Sequence, residues 1–323
     1  MKTASPRAGV SETGLALTLI AATFLMGSSF VAGKILLADG FPPVLLVGWR
    51  FLIAAAAALP IVLMTRNRHC DDLNRKAIQL RHAALVLAIG LLQTGAVMGL
   101  LFLAMQSISA PEAAILLFTN PVWVALLSWL FLHEPLPRIR AAGLVLGVAG
   151  VALAVGRGGN AASSSGTLIG ELLGLAAAFF WAVATVIHKR AALPLSAWSL
   201  NFWQMLIGSL TLLVLAYGRG EHWPPVVTHV QWGWFIWLAI PASTGSFGLW
   251  FLALKKGRAV QTSGYLFLAP VFAVVLSFCI LGASITWLQA LGGALVALAL
   301  WLVTRHTASI SPEHHLDDAI PRG

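Results

Sequence analysis

The chain alternates between long apolar runs and short polar gaps. Ten stretches read as membrane-spanning helices, near residues 14–35, 43–64, 83–105, 112–132, 139–155, 169–188, 196–217, 231–254, 259–282 and 286–304. A bilayer core about 30 Å thick takes about 20 predominantly apolar residues per crossing helix, and each run meets or approaches that length. The fifth is the shortest. In hydrocarbon no water can bond the backbone, so each run must satisfy its N–H and C=O groups internally, as a helix does. Barrel strands would instead alternate apolar and polar positions over about ten residues.

A Gly/Ser-rich stretch, GRGGNAASSSGT, opens the linker at 156–168 and divides the spans five and five, into segments 14–155 and 169–304 between tails 1–13 and 305–323. Laid over the first segment with an offset of 149, the second pairs Gly99, Phe102, Leu103 and Ala104 with Gly248, Phe251, Leu252 and Ala253. The same offset pairs Pro121 and Val122 with Pro270 and Val271, Ser128 with Ser277, and Gly143 with Gly292. Nearer the front an offset of 155 sets Met26 against Trp181 and Lys34 against Lys189. A duplicated unit with an odd number of spans must enter the membrane the other way up. Accordingly, the gap between spans three and four has no Lys or Arg while its counterpart between eight and nine has three. The expected fold is therefore an all-α polytopic membrane protein of ten transmembrane helices, an inverted 5+5 repeat around a central cavity. Secondary transporters commonly use this plan, with substrate near the midplane and one half rocking on the other. Duplication for packing alone is the alternative.

Composition agrees with lipid as the solvent: 59% of the 323 residues are hydrophobic and 10% charged, too few charges for one water-soluble core. The net charge of +9 does not point to nucleic acid, because Lys and Arg sit in the gaps rather than along a helix face. Sixteen of the 20 fall on the side of the amino terminus, three on the other, and Arg50 lies inside a span. That bias places both termini in the cytoplasm of a multi-pass inner-membrane protein. The first run follows Lys2 and Arg7 but is long for a signal peptide and lacks an Ala-x-Ala site, so it reads as a span. Cys70 and Cys279 share no disulfide or metal-ligand pattern, and no cofactor or metal is expected; the His314, His315, Asp317, Asp318 tail reads as a disordered end.

The runs LMGSSFVAGK, PPVLLVGWRFLIAAAAALP, LFTNPVWVALLSWLFLHEPL and RAAGLVLGVAGVAL, in this order and repeated in pattern in the second half, resemble EamA-type members of the drug/metabolite transporter superfamily. The resemblance spans roughly residues 14–304. It implies a ten-helix bundle with a central cavity and export of amino acids or related metabolites. Two departures stand out: Met26 replaces the tryptophan usual before Gly-Ser-Ser, the aromatic being kept at Trp181, and the acidic Glu134 after span four has Ala283 as its counterpart.

Ionisable groups inside a span are costly, an Arg at mid-helix costing about 3 kcal/mol on insertion scales, and are candidate functional groups by default. Arg50 is the foremost. Its guanidinium suits a carboxylate through two bonds, or else braces the bundle by pairing with a carbonyl. Its counterpart falls near Gln204. Gln93 and Thr94 in span three and Ser243 and Thr244 in span eight offer donors and acceptors at similar depth, for substrate or for helix packing. Pro121 and Pro270 read as kinks that free the carbonyls of Leu117 and Leu266, with Asn120 able to bond beside the first. Trp181, Trp203, Trp250, Phe102, Tyr265 and Trp123 supply apolar faces, while Trp223, Trp232 and Trp234 read as an interfacial belt. Glu112 reads as a helix-opening acid, the nearest candidate for proton coupling, and Gly143 with Gly147 as a close-packing step of spans five and ten.

The binding set expected is thus Arg50, Gln93, Thr94, Asn120, Trp181, Gln204, Ser243, Trp250 and Tyr265, in a monomer that meets a small-molecule substrate and the lipid bilayer but no nucleic acid. An exporter of amino acids or similar metabolites by alternating access is the leading reading. Efflux of hydrophobic cations or drugs, a passive channel and a membrane-embedded enzyme are the alternatives. Against the enzyme, His133-Glu134 is followed by Pro135, and neither His-Glu-x-x-His nor Gly-x-Ser-x-Gly is present.

Overall fold

The computed structural model describes residues 12–66, 80–104, 107, 116–155, 165–193, 195–257, 259–281 and 287–305, and within them every regular element is helical. Glu112, Cys70, the linker through residue 164 and the carboxyl-terminal tail lie outside the described residues. In chain order the helices are α1 (Glu12–Ala38), α2 (Pro43–Arg66), α3, α4 (Asn120–Phe131), α5 (Arg138–Val155), α6 (Ser165–Ala191), α7 (Ala197–Gly218), α8, α9 and α10 (Trp287–Arg305). Three are composite. α3 runs Leu80–Gly90, Leu91–Ala96 and Val97–Ala104, its middle a π-helical turn, and α8 runs His229–Ala239, Ile240–Gly245 and Ser246–Lys256 in the same manner. α9 joins Ala259–Gly264 to Leu268–Leu281 through a 3-10 turn at Tyr265–Phe267.

By length and composition, seven described helices can cross a membrane: Thr13–Ala38, Pro43–Met64, His82–Ala104, Leu168–Ala191, Ala197–Gly218, His229–Lys256 and Thr262–Ile280. Asn120–Phe131 and Leu291–Val303 are apolar but shorter. α5, expected as a further span, carries Arg138 and Arg140 in its first turn, which shortens its apolar stretch.

Helix ends follow ordinary capping chemistry. Thr228 and Gln231 form a reciprocal capping box that starts α8, and Ser196 accepts the Ser199 N–H to start α7. α1 and α7 both stop at a glycine with left-handed φ, Gly40 (86°) and Gly220 (73°). Each stop is closed by two backbone bonds: Phe41 to Leu36 with Gly40 to Leu37, and Glu221 to Ala216 with Gly220 to Tyr217.

Packing is by close approach of small residues. α2 lies against α7 and α5 against α10. Gly48 meets Leu213 while Leu45 donates its N–H to Glu221 Oε2 at 2.8 Å, so rising numbers on α2 meet falling numbers on α7. Likewise Gly143 meets Leu302 and Val303 while Gly150 meets Gly292 and Leu295. Both pairs are antiparallel. Gly147, expected to face the same partner as Gly143, instead accommodates the Phe267 ring of α9. α1 packs on α8 and α9, and α6 packs on α3 and α4.

Candidate functional site

A π turn holds one more residue per turn than the α-helix around it, which offsets the hydrogen-bond ladder and re-aims side chains. In the turn of α8, Ser243 donates its hydroxyl to Leu238 O at 2.8 Å and accepts the Nε–H of Arg50 at 2.6 Å. Arg50 also donates to Ala242 O at 3.4 Å, and its guanidinium carbon stands 4.9 Å from the centre of the Phe51 ring. Next along the turn, Thr244 donates to Ala54 O at 2.7 Å and its own carbonyl accepts from Asn201 Nδ2 at 3.3 Å. Asn201 Oδ1 accepts from Gln204 Nε2 at 3.2 Å, and Gln204 Oε1 accepts the hydroxyl of Thr94 in the π turn of α3. One buried polar belt therefore links α2, α8, α7 and α3. Arg50, Thr94, Gln204 and Ser243, expected from sequence, all belong to it. Asn201 was not, although its spacing of three from Gln204 puts both on one face of α7. Among the described residues the ion pair is Arg219 with Glu221 at 3.7 Å, so the buried charge of Arg50 is met there by dipoles and a ring rather than by a carboxylate.

A second centre lies along α6. The Trp181 and Trp250 rings stand 6.2 Å apart at 65°, an edge-on pair between α6 and α8. Asn120 of α4 donates to Ala178 O at 3.1 Å, one turn before Trp181, and the π turn of α3 that carries Gln93 also packs on α6. Four buried atoms of this group have no hydrogen-bond partner: Trp181 Nε1, Trp250 Nε1, Gln93 Nε2 and Asn120 Oδ1. An unmet buried polar atom costs about 1–3 kcal/mol, so these three donors and one acceptor, carried by α3, α4, α6 and α8, are buried groups left able to bond a ligand. Further along the same face of α6, His188 meets the Phe251 ring edge-on at 5.2 Å, and its Nδ1 is likewise unmet. In the sequence His188 is marked only by its spacing of seven from Trp181, two helical turns along one face.

The remaining candidates sit elsewhere. Tyr265 is half-buried on the 3-10 turn of α9, packed against the core. Pro121 falls in the first turn of α4, after a break at Phe118 and Thr119, and Pro270 in the first turn of the segment that follows the 3-10 turn. Pro121 thus starts a helix, where a missing N–H costs nothing, while Pro270 sits inside α9 just past its 3-10 turn. Trp203 stands on the outer surface against Phe202. Trp223 and Trp232 stack at 6.2 Å and, with Phe41 and Phe235, join the α1–α2 and α7–α8 corners. Lys189 caps the end of α8 through Leu254 O at 2.9 Å and Gly257 O. Glu134 Oε1 accepts the N–H of Ala259 at the start of α9 at 3.3 Å.

Comparison with known proteins follows the same division of the chain. The EamA-like transporter family matches twice, over residues 13–156 and 168–305. The Bacillus subtilis protein named "Uncharacterized transporter YoaV" is 28% identical over 289 residues, covering 89% of this chain and 96% of its own. A protein of Archaeoglobus fulgidus named "Uncharacterized transporter" is 28% identical over 292 residues, 88% of this chain and 96% of that one. Protein PecM of Dickeya dadantii is 27% identical over 217 residues, 67% and 71% of the two chains. A solved crystal structure shares the fold, with a TM-score of 0.75 at 22% identity, covering 91% of this chain and 98% of that one. With both copies of the family pattern in place over nearly its whole length, the chain belongs to the EamA-like transporter family.

Proposed function

We propose that this transporter exports amino acids or related small metabolites by alternating access, taking its substrate at the Trp181–Trp250 pair. The observation that carries the reading is the set of four unmet buried atoms, the two indole nitrogens of the pair with Gln93 Nε2 and Asn120 Oδ1 on the helices packed against α6. A carboxylate accepts from several donors at once, and an ammonium group donates to an amide oxygen. Arg50 adds an unneutralised positive charge to the same bundle, which favours a substrate bearing a carboxylate. Flat indole faces accommodate an apolar side chain beside those groups.

Ten spans in an inverted 5+5 arrangement supply the mechanism. Support comes from four features. The two family matches cover corresponding halves. The equivalent helices α2 and α7 run antiparallel, as do α5 and α10. The π turns start at Leu91 and Ile240, and the turns before Pro121 and Pro270 end near Phe118 and Phe267, all at the offset of 149. Finally, the contacts exchange: α1 with α8 and α9 corresponds to α6 with α3 and α4. With the Lys and Arg bias, both termini face the cytoplasm of the inner membrane.

Efflux of hydrophobic cations is the competing reading, since the indole pair offers a cation–π surface. An uptake screen with purified protein in liposomes, across amino acids, nucleobases and cationic dyes, separates them. Saturable transport confined to carboxylate-bearing compounds supports the proposal; transport of dyes alone overturns it.

A further inference from the structure

Between α1, α8 and α9 a crevice of about 220 Å³ opens on the flank of the bundle, walled by Phe24 and Val31, Trp234 and Trp237, and Leu276 and Ile280. Its one polar side chain, Ser28, is spent: the hydroxyl donates to Leu25 O at 2.7 Å and accepts the indole N–H of Trp237 at 3.1 Å. Among the described residues no carboxylate, amine or free hydroxyl lines these walls, which are otherwise hydrocarbon and aromatic ring. The open side of the crevice is apolar along its length, with Phe24, Trp237 and Ile280 each more than a third exposed.

Depth identifies the occupant. α1 ends and α8 begins at the same end of the bundle, where Gln231 donates to Asp39 at 2.9 Å. At 1.5 Å per helical residue, Trp234 lies about 8 Å below the start of α8, and Phe24 lies about 21 Å below the end of α1. Ile280 stands one residue from the end of α9, and the floor is closed by Phe24 edge-on to Phe272 at 5.5 Å. The crevice therefore runs from an indole-lined mouth at the interface to the region of the midplane, about 15 Å being one leaflet of hydrocarbon. We infer that this crevice is a binding site for one acyl chain of a bilayer lipid, from the leaflet on the side where α8 begins. Its head group lies at the level of Trp234, where indoles favour the interface, and its methyl end reaches Phe24. α1 comes from the first family match while α8 and α9 come from the second, so the chain is held at a seam between the two.

The site rests on membrane embedding alone, and its failure leaves the substrate proposal untouched. The test uses the full chain in liposomes containing a phosphatidylcholine with a photoreactive diazirine at the end of one acyl chain, or at its carboxyl end, with mapping of the labelled peptides. The terminal probe is expected to label Phe24 several-fold above the exposed apolar positions Leu172 and Val214. Moving the diazirine to the carboxyl end shifts the label to Trp234 and Ile280. Filling the crevice with Val31→Phe and Leu276→Phe removes the label there and spares it at Leu172 and Val214. Uniform labelling of all lipid-facing positions, no depth dependence in the wild-type chain, or displacement of the label by a hydrophobic cationic dye would each overturn the inference.

Discussion

Arg50 on α2 and Ser243 on α8 are joined by a 2.6 Å hydrogen bond, made in the middle of the bundle by a residue of each family match. The bond has a counterpart. Thr94, at the position equivalent to Ser243 by the offset of 149, bonds Gln204, near the equivalent of Arg50. Each π turn thus hands a hydroxyl to the second helix of a family match. One version carries a charge and the other does not, so the positive charge sits on one side only. Replacing Arg50 by Ala is expected to abolish transport of carboxylate substrates while leaving the amount of protein in the membrane unchanged. Full transport by Arg50→Ala, measured in liposomes at equal protein, would remove Arg50 from substrate recognition and leave it as a brace.

Trp181→Phe and Trp250→Phe keep a ring and delete an N–H. If the indoles bond substrate, each change removes a hydrogen bond of about 1.5 kcal/mol, so KM rises by about tenfold. Thermal stability should hold or improve, because each mutation deletes a buried donor that the folded chain leaves unmet. A drop in Tm with KM unchanged would show instead that the indoles serve packing.

Gly208 is where α7 meets the π turn of α3. A Cβ there would fall 2.3 Å from Thr94 Cβ and 2.8 Å from the Gly95 nitrogen. Gly208→Ala should therefore destabilise the protein by about 1–3 kcal/mol, as overpacking does. Gly233→Ala is the control, with nothing within 4 Å of its Cβ position. It should raise stability by up to about 1 kcal/mol through helix propensity. Equal effects in a thermal unfolding assay would contradict the packing account.

Glu221 accepts the N–H of Leu45 in the first turn of α2, where a helix favours negative charge. Glu221→Ala should cost about 1 kcal/mol, in line with loss of a cap, and Glu221→Gln part of it. No change in unfolding temperature for Glu221→Ala would mean that the contact contributes nothing.

Much of the fold was legible because lipid imposes a simple rule: apolar runs of sufficient length become helices, and charged gaps become loops. Residues such as Gly99 and Gly248, each against a neighbouring side chain, share one offset, and the family pattern matches once over each of them. The helix irregularities were not legible. Pro121 and Pro270 announced a disturbance, yet its form depends on the residues before each, a break at Phe118 and Thr119 in one case and a 3-10 stretch at Tyr265–Phe267 within α9 in the other. The π turn of α3 contains no proline at all and is identified only by its bonding pattern. Among the candidate residues, Arg50 and Trp181 stood out by chemical type. Asn201 and His188 look in sequence like ordinary packing groups, and only tertiary contacts distinguish them. Trp203 misled for the converse reason, since sequence shows that a tryptophan is on a helix but not which flank faces lipid.

If a carboxylate-bearing metabolite crosses the bilayer through a site open to one side at a time, the protein supports counterflow in liposomes. Vesicles loaded with unlabelled amino acid should accumulate labelled amino acid transiently above equilibrium, with saturation, and Trp181→Phe should shift the half-saturating concentration. Linear flux without saturation or overshoot would contradict it and make the protein a channel.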